Sequence, residues 1–309
     1  MIVVLGSSEE RIVAHLYRAL QERNIPSVLI EQSNIPNTVK FNLETNGKNF
    51  GGYFRFGDYK QIDFSEITSI YARPGVGYFE VYETYSQQEI DFINEECMVS
   101  LSILLEHAPF LVVNRPSTSR SNASKPHQAN LIRSYGFSIP KTLVTNDPQE
   151  FKNFYEAMNR NVIYKSISSI RSIVKKVKEE DLNRLDTLQN CPVQLQECIE
   201  GVDVRVHVVG ENCFPALIHS SQSDYRYDRE IQMEVFDLPP EIAEKCIKLA
   251  FGLGLPLAGI DVRATSEGEY YCFEVNPSPV FTYYEERTGL PITDALCGLL
   301  QSGIDPTRQ

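Results

Sequence analysis

Between residues 259 and 277 the chain reads Gly259-Ile-Asp261-Val-Arg263, a short polar turn at 265–269, then Tyr270-Tyr-Cys-Phe-Glu274-Val-Asn276-Pro277. Apolar and polar residues alternate on both sides of a turn carrying Gly268, the pattern of an antiparallel hairpin with one buried and one open face. The period of two places Glu274 and Asn276 on one face and predicts that Phe273 and Val275 point into the core. Pairing across the hairpin brings Asp261 beside Glu274 and Asn276. Two carboxylates and an amide oxygen, without histidine or thiolate, are hard donors suited to Mg²⁺ held jointly with phosphate oxygens. The amide adds an oxygen without a third negative charge, so the cation stays net positive toward a polyphosphate.

Cations for that polyphosphate come from elsewhere in the chain. Lys165 ends an apolar strand and precedes Ser166-Ile-Ser168-Ser169, where an ammonium and the N–H groups of a small-residue turn can meet phosphate together. Lys125 opens a helix that closes at Gly136, a position that by itself suits a surface lysine. Gln196-Glu197-Cys198-Ile199-Glu200-Gly201 links one strand to the next. The backbone of such a linker can hydrogen-bond an adenine edge, and Glu197 can accept from the exocyclic amine. Asp203 and Arg205, two residues apart, share a strand face, and a guanidinium there suits charge developing on a transferring phosphoryl group. Without the other pieces the same residues would read as charges on an exposed strand.

The N-terminal third begins as a βαβ unit. Residues 2–5 form an apolar strand, Ser7 and Glu10 have capping-box spacing, Ile12, Val13, Leu16 and Leu20 mark a helix face, and 27–30 return as a strand. Gly6 alone is a poor dinucleotide fingerprint; Glu31 stands where a ribose-binding acid could be, but a plain structural turn is the reading expected. Residues 37–60 suit a hairpin or loop excursion, 67–71 a further strand, and 86–106 a long amphipathic helix. Arg73, at the strand end in Tyr71-Ala-Arg73-Pro-Gly75, is either a substrate contact or a surface arginine beside a turn. Pro116 and the polar stretch after it mark a boundary, and the expected units are 1–113, 114–194 and 195–309. Strands and helices alternate only at the start, so the fold class is α/β followed by α+β.

Composition removes several function classes. A formal net charge of −12 disfavours nucleic acid and anionic membranes as partners, and the short basic run 171–178 is answered at once by Glu179, Glu180 and Asp181. Seven cysteines without a C-x-x-C pair indicate neither a disulfide framework nor a zinc knuckle. The opening residues lack a basic n-region, and the longest apolar run, near 102–113, is interrupted by Glu106 and His107. Neither signal peptide nor membrane span is expected, and the cytoplasm is the expected compartment.

Taken in order, Asn122-Ala-Ser-Lys125 through Tyr135-Gly-Phe-Ser-Ile-Pro140-Lys-Thr142, Val162-Ile-Tyr-Lys165, Gln196-Glu197, Gly201-Val-Asp203-Val-Arg205, Asp261 and Glu274-Val-Asn276-Pro-Ser278 resemble the ATP-grasp superfamily. The similarity is to its RimK-like branch, and within it to the graspetide (microviridin-type) peptide ligases, whose tail Glu286-Arg-Thr-Gly-Leu-Pro-Ile-Thr293 resembles. It covers about 114–300 well and 1–113 loosely, as a pre-ATP-grasp domain. The serine-rich loop at 166–170 departs from many ATP-grasp enzymes in having no glycine.

The resemblance implies an ATP-grasp fold in which central and C-terminal domains clamp ATP. It further implies an ADP-forming ligase that uses ATP and Mg²⁺ to make an acyl phosphate, captured by an amine or hydroxyl within an acidic precursor peptide. Lys125, Lys165, Ser168, Gln196, Glu197, Cys198, Ile199 and Asp203 would bind ATP, and Asp261, Glu274 and Asn276 would hold Mg²⁺. Arg205 and Arg263 would stabilise charge, and Arg73, Arg226 and Arg229 are candidates for reading the substrate. A homodimer is the usual assembly of such enzymes. Two other outcomes stay open: a ligase that adds amino acids to a protein tail or small molecule, and a nucleotide-binding regulator without turnover.

Overall fold

The computed structural model describes residues 1–308 except 48–49, 58–59, 76–78, 80–84, 168–173 and 220–230. Strand β1 (Ile2–Gly6), helix α1 (Arg11–Glu22) and β2 (Ser27–Glu31) form the opening βαβ unit. β3 (Val39–Thr45), β4 (Phe50–Phe56) and β5 (Lys60–Asp63) make a separate antiparallel sheet. β6 (Ser69–Ala72), α2 (Gln87–His107) and β7 (Leu111–Val113) then complete a parallel sheet ordered β2-β1-β6-β7. β1 is apolar throughout because both its faces are covered. Ile2 and Val4 join the core with Leu16 and Leu20 of α1, whereas Val3 and Leu5 join Phe54 of β4 and Leu101 and Leu104 of α2.

The middle of the chain is α3 (Lys125–Ser134), β8 (Thr142–Thr145), α4 (Pro148–Ala157), β9 (Val162–Lys165), β10 (Val174–Lys176) and β11 (Val193–Glu197). Its strands form an antiparallel sheet ordered β10-β9-β11-β8. The boundary expected at 194/195 falls inside β11, whose residues from Val193 to Gln196 pair with β8. The last part holds β12 (Val202–Val209), β13 (Asn212–His219), β14 (Gln232–Val235), α5 (Pro240–Gly252), β15 (Leu257–Ala264), β16 (Tyr270–Asn276), α6 (Thr282–Thr288) and α7 (Ile292–Ser302). Its sheet, ordered β14-β13-β12-β15-β16, packs Val204, Val206, Ile260 and Val262 against Leu249 of α5 and Ile132 of α3. Helix α7 returns to the first sheet, where Leu296 and Leu300 share a core with Leu16 and Leu20. Each such aliphatic side chain removed from water contributes roughly 1.5–3 kcal/mol, so the ends of the chain are tied into one body.

Local readings near the N-terminus are corrected. Helix α1 starts at Arg11 with Glu10 as its N-cap, not Ser7, and the Glu10 side chain makes no cap bond because its carboxylate accepts from Arg73 Nε at 2.7 Å. The carboxylate of Glu31 accepts from the Ser8 N–H at 3.1–3.2 Å, which makes it part of the plain turn that closes β1. Arg115 is 5% exposed and donates to the carbonyls of Leu105, Glu106, Ala108 and Phe110, satisfying the end of α2 that would otherwise be left without donors.

Candidate active site

The hairpin forms as its alternation requires, in a register that puts Asp261 opposite Glu274 and Gly259 opposite Asn276. Val262 pairs with Cys272, however, so Phe273 is skipped: a bulge sits between the two acids and the turn. That extra residue overturns the expected inward position of Phe273. Cys272 and Val275 are buried, while Phe273 and Glu274 both face an open cavity of about 790 Å³. The volume suits a nucleotide-sized ligand.

The cavity lies between the hairpin and the central sheet. Lys125 at the start of α3, Lys165 at the end of β9, Gln196 on β11 and Glu274 on β16 all line it. Lys165 is brought there by pairing of β9 with β11, where it sits opposite Gln194. Its ammonium lies 5.6 Å from the centre of the Phe273 ring, and the Arg263 guanidinium lies 5.3 Å from the same ring. The Lys165 ammonium is pushed down to about 8, first by burial and next by the nearby charge of Lys125; Glu274 and Asp261 oppose the shift. Two ammonium groups held close in a partly dry cavity form a site that gains from a polyanion, because bound phosphate offsets both the repulsion and the lost solvation.

Arg205 is 5% exposed, and its Nη1 donates to Asp261 Oδ1 at 2.7 Å. Room for the guanidinium comes from Gly259 on the adjoining strand. A Cβ there would lie 2.1 Å from Arg205 Nη2 and 2.6 Å from Cζ. The Tyr284 ring lies 5.7 Å from the guanidinium and 4.8 Å from the ring of His207, which is fully buried. Burial, then the Arg205 charge, hold His207 well below its ordinary value, so a neutral ring underlies the cation. Arg263 makes a forked pair with Asp203, Nε to Oδ1 at 2.9 Å and Nη2 to Oδ2 at 2.8 Å, and its Nη1 donates to the Ile199 carbonyl at 2.8 Å. Asp203 and Arg263 therefore fasten the linker to the C-terminal sheet.

Along that linker, Glu197 Oε2 accepts from the Lys141 N–H at 3.2 Å, and Gln196 Nε2 donates to Thr142 Oγ1 at 3.2 Å. The Cys198 N–H donates to the Asn161 carbonyl, and the Cys198 carbonyl accepts from Asn161 Nδ2, both at 2.9 Å. The Oε1 atoms of Gln194 and Gln196, both side chains turned to the cavity from alternate positions of β11, have no donor among the described residues. The alternation Gln194-Leu-Gln196 was the available signal for Gln194, which sequence reasoning passed over.

Asn276 Oδ1 accepts from the Ser278 N–H at 2.8 Å. Arg73 approaches from the N-terminal sheet, donating to Ser278 Oγ at 2.5 Å as well as to Glu10. Asn114 donates to the carbonyls of Leu257 and Pro277. Arg73 thus sits beside the segment that follows the candidate ligands, and Asn114 adds a brace that no motif announced. Asp261, Glu274 and Asn276 supply hard oxygens on two neighbouring strands, a donor set that fits Mg²⁺. Ser168, Arg226 and Arg229 lie outside the described residues.

A family model described as the RimK-like ATP-grasp domain matches residues 122–300. The chain belongs to that family.

Solved structures and sequence relatives extend the comparison. The macrocyclase MdnC from Microcystis aeruginosa, solved with its precursor peptide MdnA, superposes with a TM-score of 0.81 at 25% identity, covering 97% of this chain and 99% of MdnC. The ATP-grasp ligase PsnB, solved with a phosphomimetic variant of its minimal precursor, Mg and ADP, gives a TM-score of 0.79 at 26% identity and covers 98% of both chains. The fold is therefore the ATP-grasp fold over nearly the whole chain, the N-terminal sheet included. A probable alpha-L-glutamate ligase from Citrobacter koseri is 23% identical over 194 residues, 59% of this chain and 64% of its own length. The ribosomal protein bS6–L-glutamate ligase of Escherichia coli is 23% identical over 56% of this chain and 61% of its own. The match thus spans less than two thirds of these relatives' lengths. No described helix is long and apolar enough to cross a membrane.

Proposed function

We propose that this protein is an ATP- and Mg²⁺-dependent, ADP-forming carboxylate ligase that joins side chains of an acidic precursor peptide through ester or amide bonds. The observation that carries the reading is that Lys125, Lys165 and Glu274 line one cavity, with Asp261 paired to Glu274 on the neighbouring strand. The lysines would receive phosphate oxygens, and the carboxylates would hold a cation that offsets the phosphate charge.

In this reading Lys125 and Lys165 hold the nucleotide phosphates, and the ammonium of Lys165 is fully protonated once the polyphosphate is bound. Gln196, Glu197, Cys198 and Ile199 line the base, with Ser168 completing the phosphate contacts and Asp203 near the ribose. Asp261, Glu274 and Asn276 would hold Mg²⁺, which would supply positive charge against the nucleotide's phosphates. A substrate carboxylate oxygen attacks the γ-phosphorus as the bond to ADP breaks, giving an acyl phosphate. A hydroxyl or amine then attacks the acyl carbon, phosphate departs, and the nucleophile's proton is released. Arg205 faces the charge that develops in both steps, with Arg263 beyond Phe273 as a second positive group. Arg73, Arg226 and Arg229 read the acidic substrate. The proposed setting is the cytoplasm, where ATP is abundant and all seven cysteines stay free thiols. The proposed assembly is a homodimer that binds neither nucleic acid nor membrane, in keeping with the net charge of −12.

Similarity to MdnC and PsnB over nearly the full chain supports an intramolecular peptide ligase over a glutamate-adding one, whose relatives match only in part. The deciding experiment incubates the protein with ATP, Mg²⁺, free L-glutamate and an acidic, Thr/Ser- or Lys-containing peptide encoded beside its gene, and follows mass and ADP. Loss of one water per ADP released supports the proposal. A mass gain of one amino acid per ADP supports tail ligation, and nucleotide binding without peptide-stimulated ADP release supports a regulator.

A further inference from the structure

Strand β16 is the edge of its sheet, and it carries both Glu274 and Asn276. Between them, the outward N–H and C=O of Val275 would be unpaired on a bare edge. A side chain takes the place of the missing strand. Gln128 Oε1 accepts from the Val275 N–H at 3.0 Å, and Gln128 Nε2 donates to the Val275 carbonyl at 2.9 Å. Gln128 is 2% exposed and lies on α3, three residues after Lys125 at that helix's first position. One turn of helix therefore carries a candidate phosphate-binding lysine at one end and a two-bond grip on the candidate metal-ligand strand at the other.

We propose that Gln128 is a positioning residue for the cation site: its amide fixes the backbone between Glu274 and Asn276 and locks that pair to the helix that presents Lys125. The inference rests on the reading of Asp261, Glu274 and Asn276 as Mg²⁺ ligands. Its physical basis is the matched donor and acceptor of a primary amide, which complete both peptide groups of Val275 at once. Leucine fills similar space and offers neither. Glutamate keeps the shape but offers only acceptors, one of which must face the Val275 carbonyl. Rotation of β16 by a few degrees would part Glu274 from Asp261 while leaving Lys125 and Lys165 in place.

The test measures ADP affinity by calorimetry on the full chain, in EDTA and across a Mg²⁺ series, for the wild type, Gln128→Leu, Gln128→Glu and Glu274→Gln. Partners that orient metal ligands are worth about 10–100-fold in metal affinity. The Mg²⁺ concentration giving half of the affinity gain is therefore expected to rise about tenfold in Gln128→Leu and at least about threefold in Gln128→Glu. Affinity in EDTA should stay within about threefold of wild type. An unchanged Mg²⁺ requirement, or equal losses with and without Mg²⁺, would overturn the positioning role. If Gln128→Leu does not fold, Gln128→Glu decides alone. If Glu274→Gln leaves the Mg²⁺ requirement unchanged, the metal-site reading itself fails; if it raises the requirement and the Gln128 variants do not, only the positioning role is lost.

Discussion

Replacing Gly259 by alanine tests how Arg205, the proposed catalytic arginine, is placed. The added Cβ would stand 2.1 Å from Arg205 Nη2, 2.6 Å from Cζ and 2.8 Å from Pro279 Cβ. Contacts that short do not persist, and β15 is fixed on both edges by ladders to β12 and β16. The guanidinium must therefore move by about 1 Å, which breaks or stretches its 2.7 Å bond to Asp261. Losing a charged hydrogen bond costs about 1.5–3 kcal/mol, and a 1 Å misplacement of a catalytic group costs about 100-fold in rate. For Gly259→Ala, peptide-dependent ADP release should fall about 100-fold in kcat/KM. ADP affinity should stay within about threefold, because Lys125 and Lys165 are untouched. Coupled ADP release and calorimetry read the two quantities, with Arg205→Lys as a variant that removes the fork without crowding the strand. Activity of Gly259→Ala within threefold of wild type would refute the placement of Arg205.

Lys165 makes binding depend on pH in a defined direction. Its ammonium loses its proton near pH 8 in the free protein and regains it against phosphate, so nucleotide affinity is full below about 8 and falls as pH rises through it. Calorimetry in buffers of different ionisation enthalpy should show uptake of about half a proton at pH 8 and little at pH 6.5. Phe273→Leu removes the ring beneath two cations, each contact worth about 0.5–1 kcal/mol, and should weaken ADP binding about fivefold in an equilibrium titration. Arg115→Met leaves four carbonyls at the end of α2 without their donor and should lower unfolding free energy by about 3 kcal/mol in a denaturant titration, with nucleotide binding retained in the folded fraction.

Much of the site was legible because strand periodicity is local. Alternation alone identifies Asp203 with Arg205 and Glu274 with Asn276 as same-face pairs, and hydrophobic stripes locate the helices and the opening βαβ unit. The order of the lysines, the linker and the acid–acid–amide set carries the family resemblance, which the match over 122–300 bears out. A residue type at a given spacing reports what chain neighbours can do together, and no more.

Tertiary structure decided the rest. A bulge is an extra residue in one strand relative to its partner, so nothing in the 270–276 segment announces that Phe273 turns from the core to Lys165 and Arg263. Glu10 left its capping role because Arg73, 63 residues away, offered a charged partner. Gln128 and Asn114 look like unremarkable polar residues until the edge of β16 and the ends of Leu257 and Pro277 arrive beside them. The sequence by itself determined which groups could bind phosphate and cation, since that follows from side-chain chemistry and short-range geometry. Which carbonyls, carboxylates and strand edges those groups meet depends on contacts closed over tens to hundreds of residues, and those exist only once the sheets have packed.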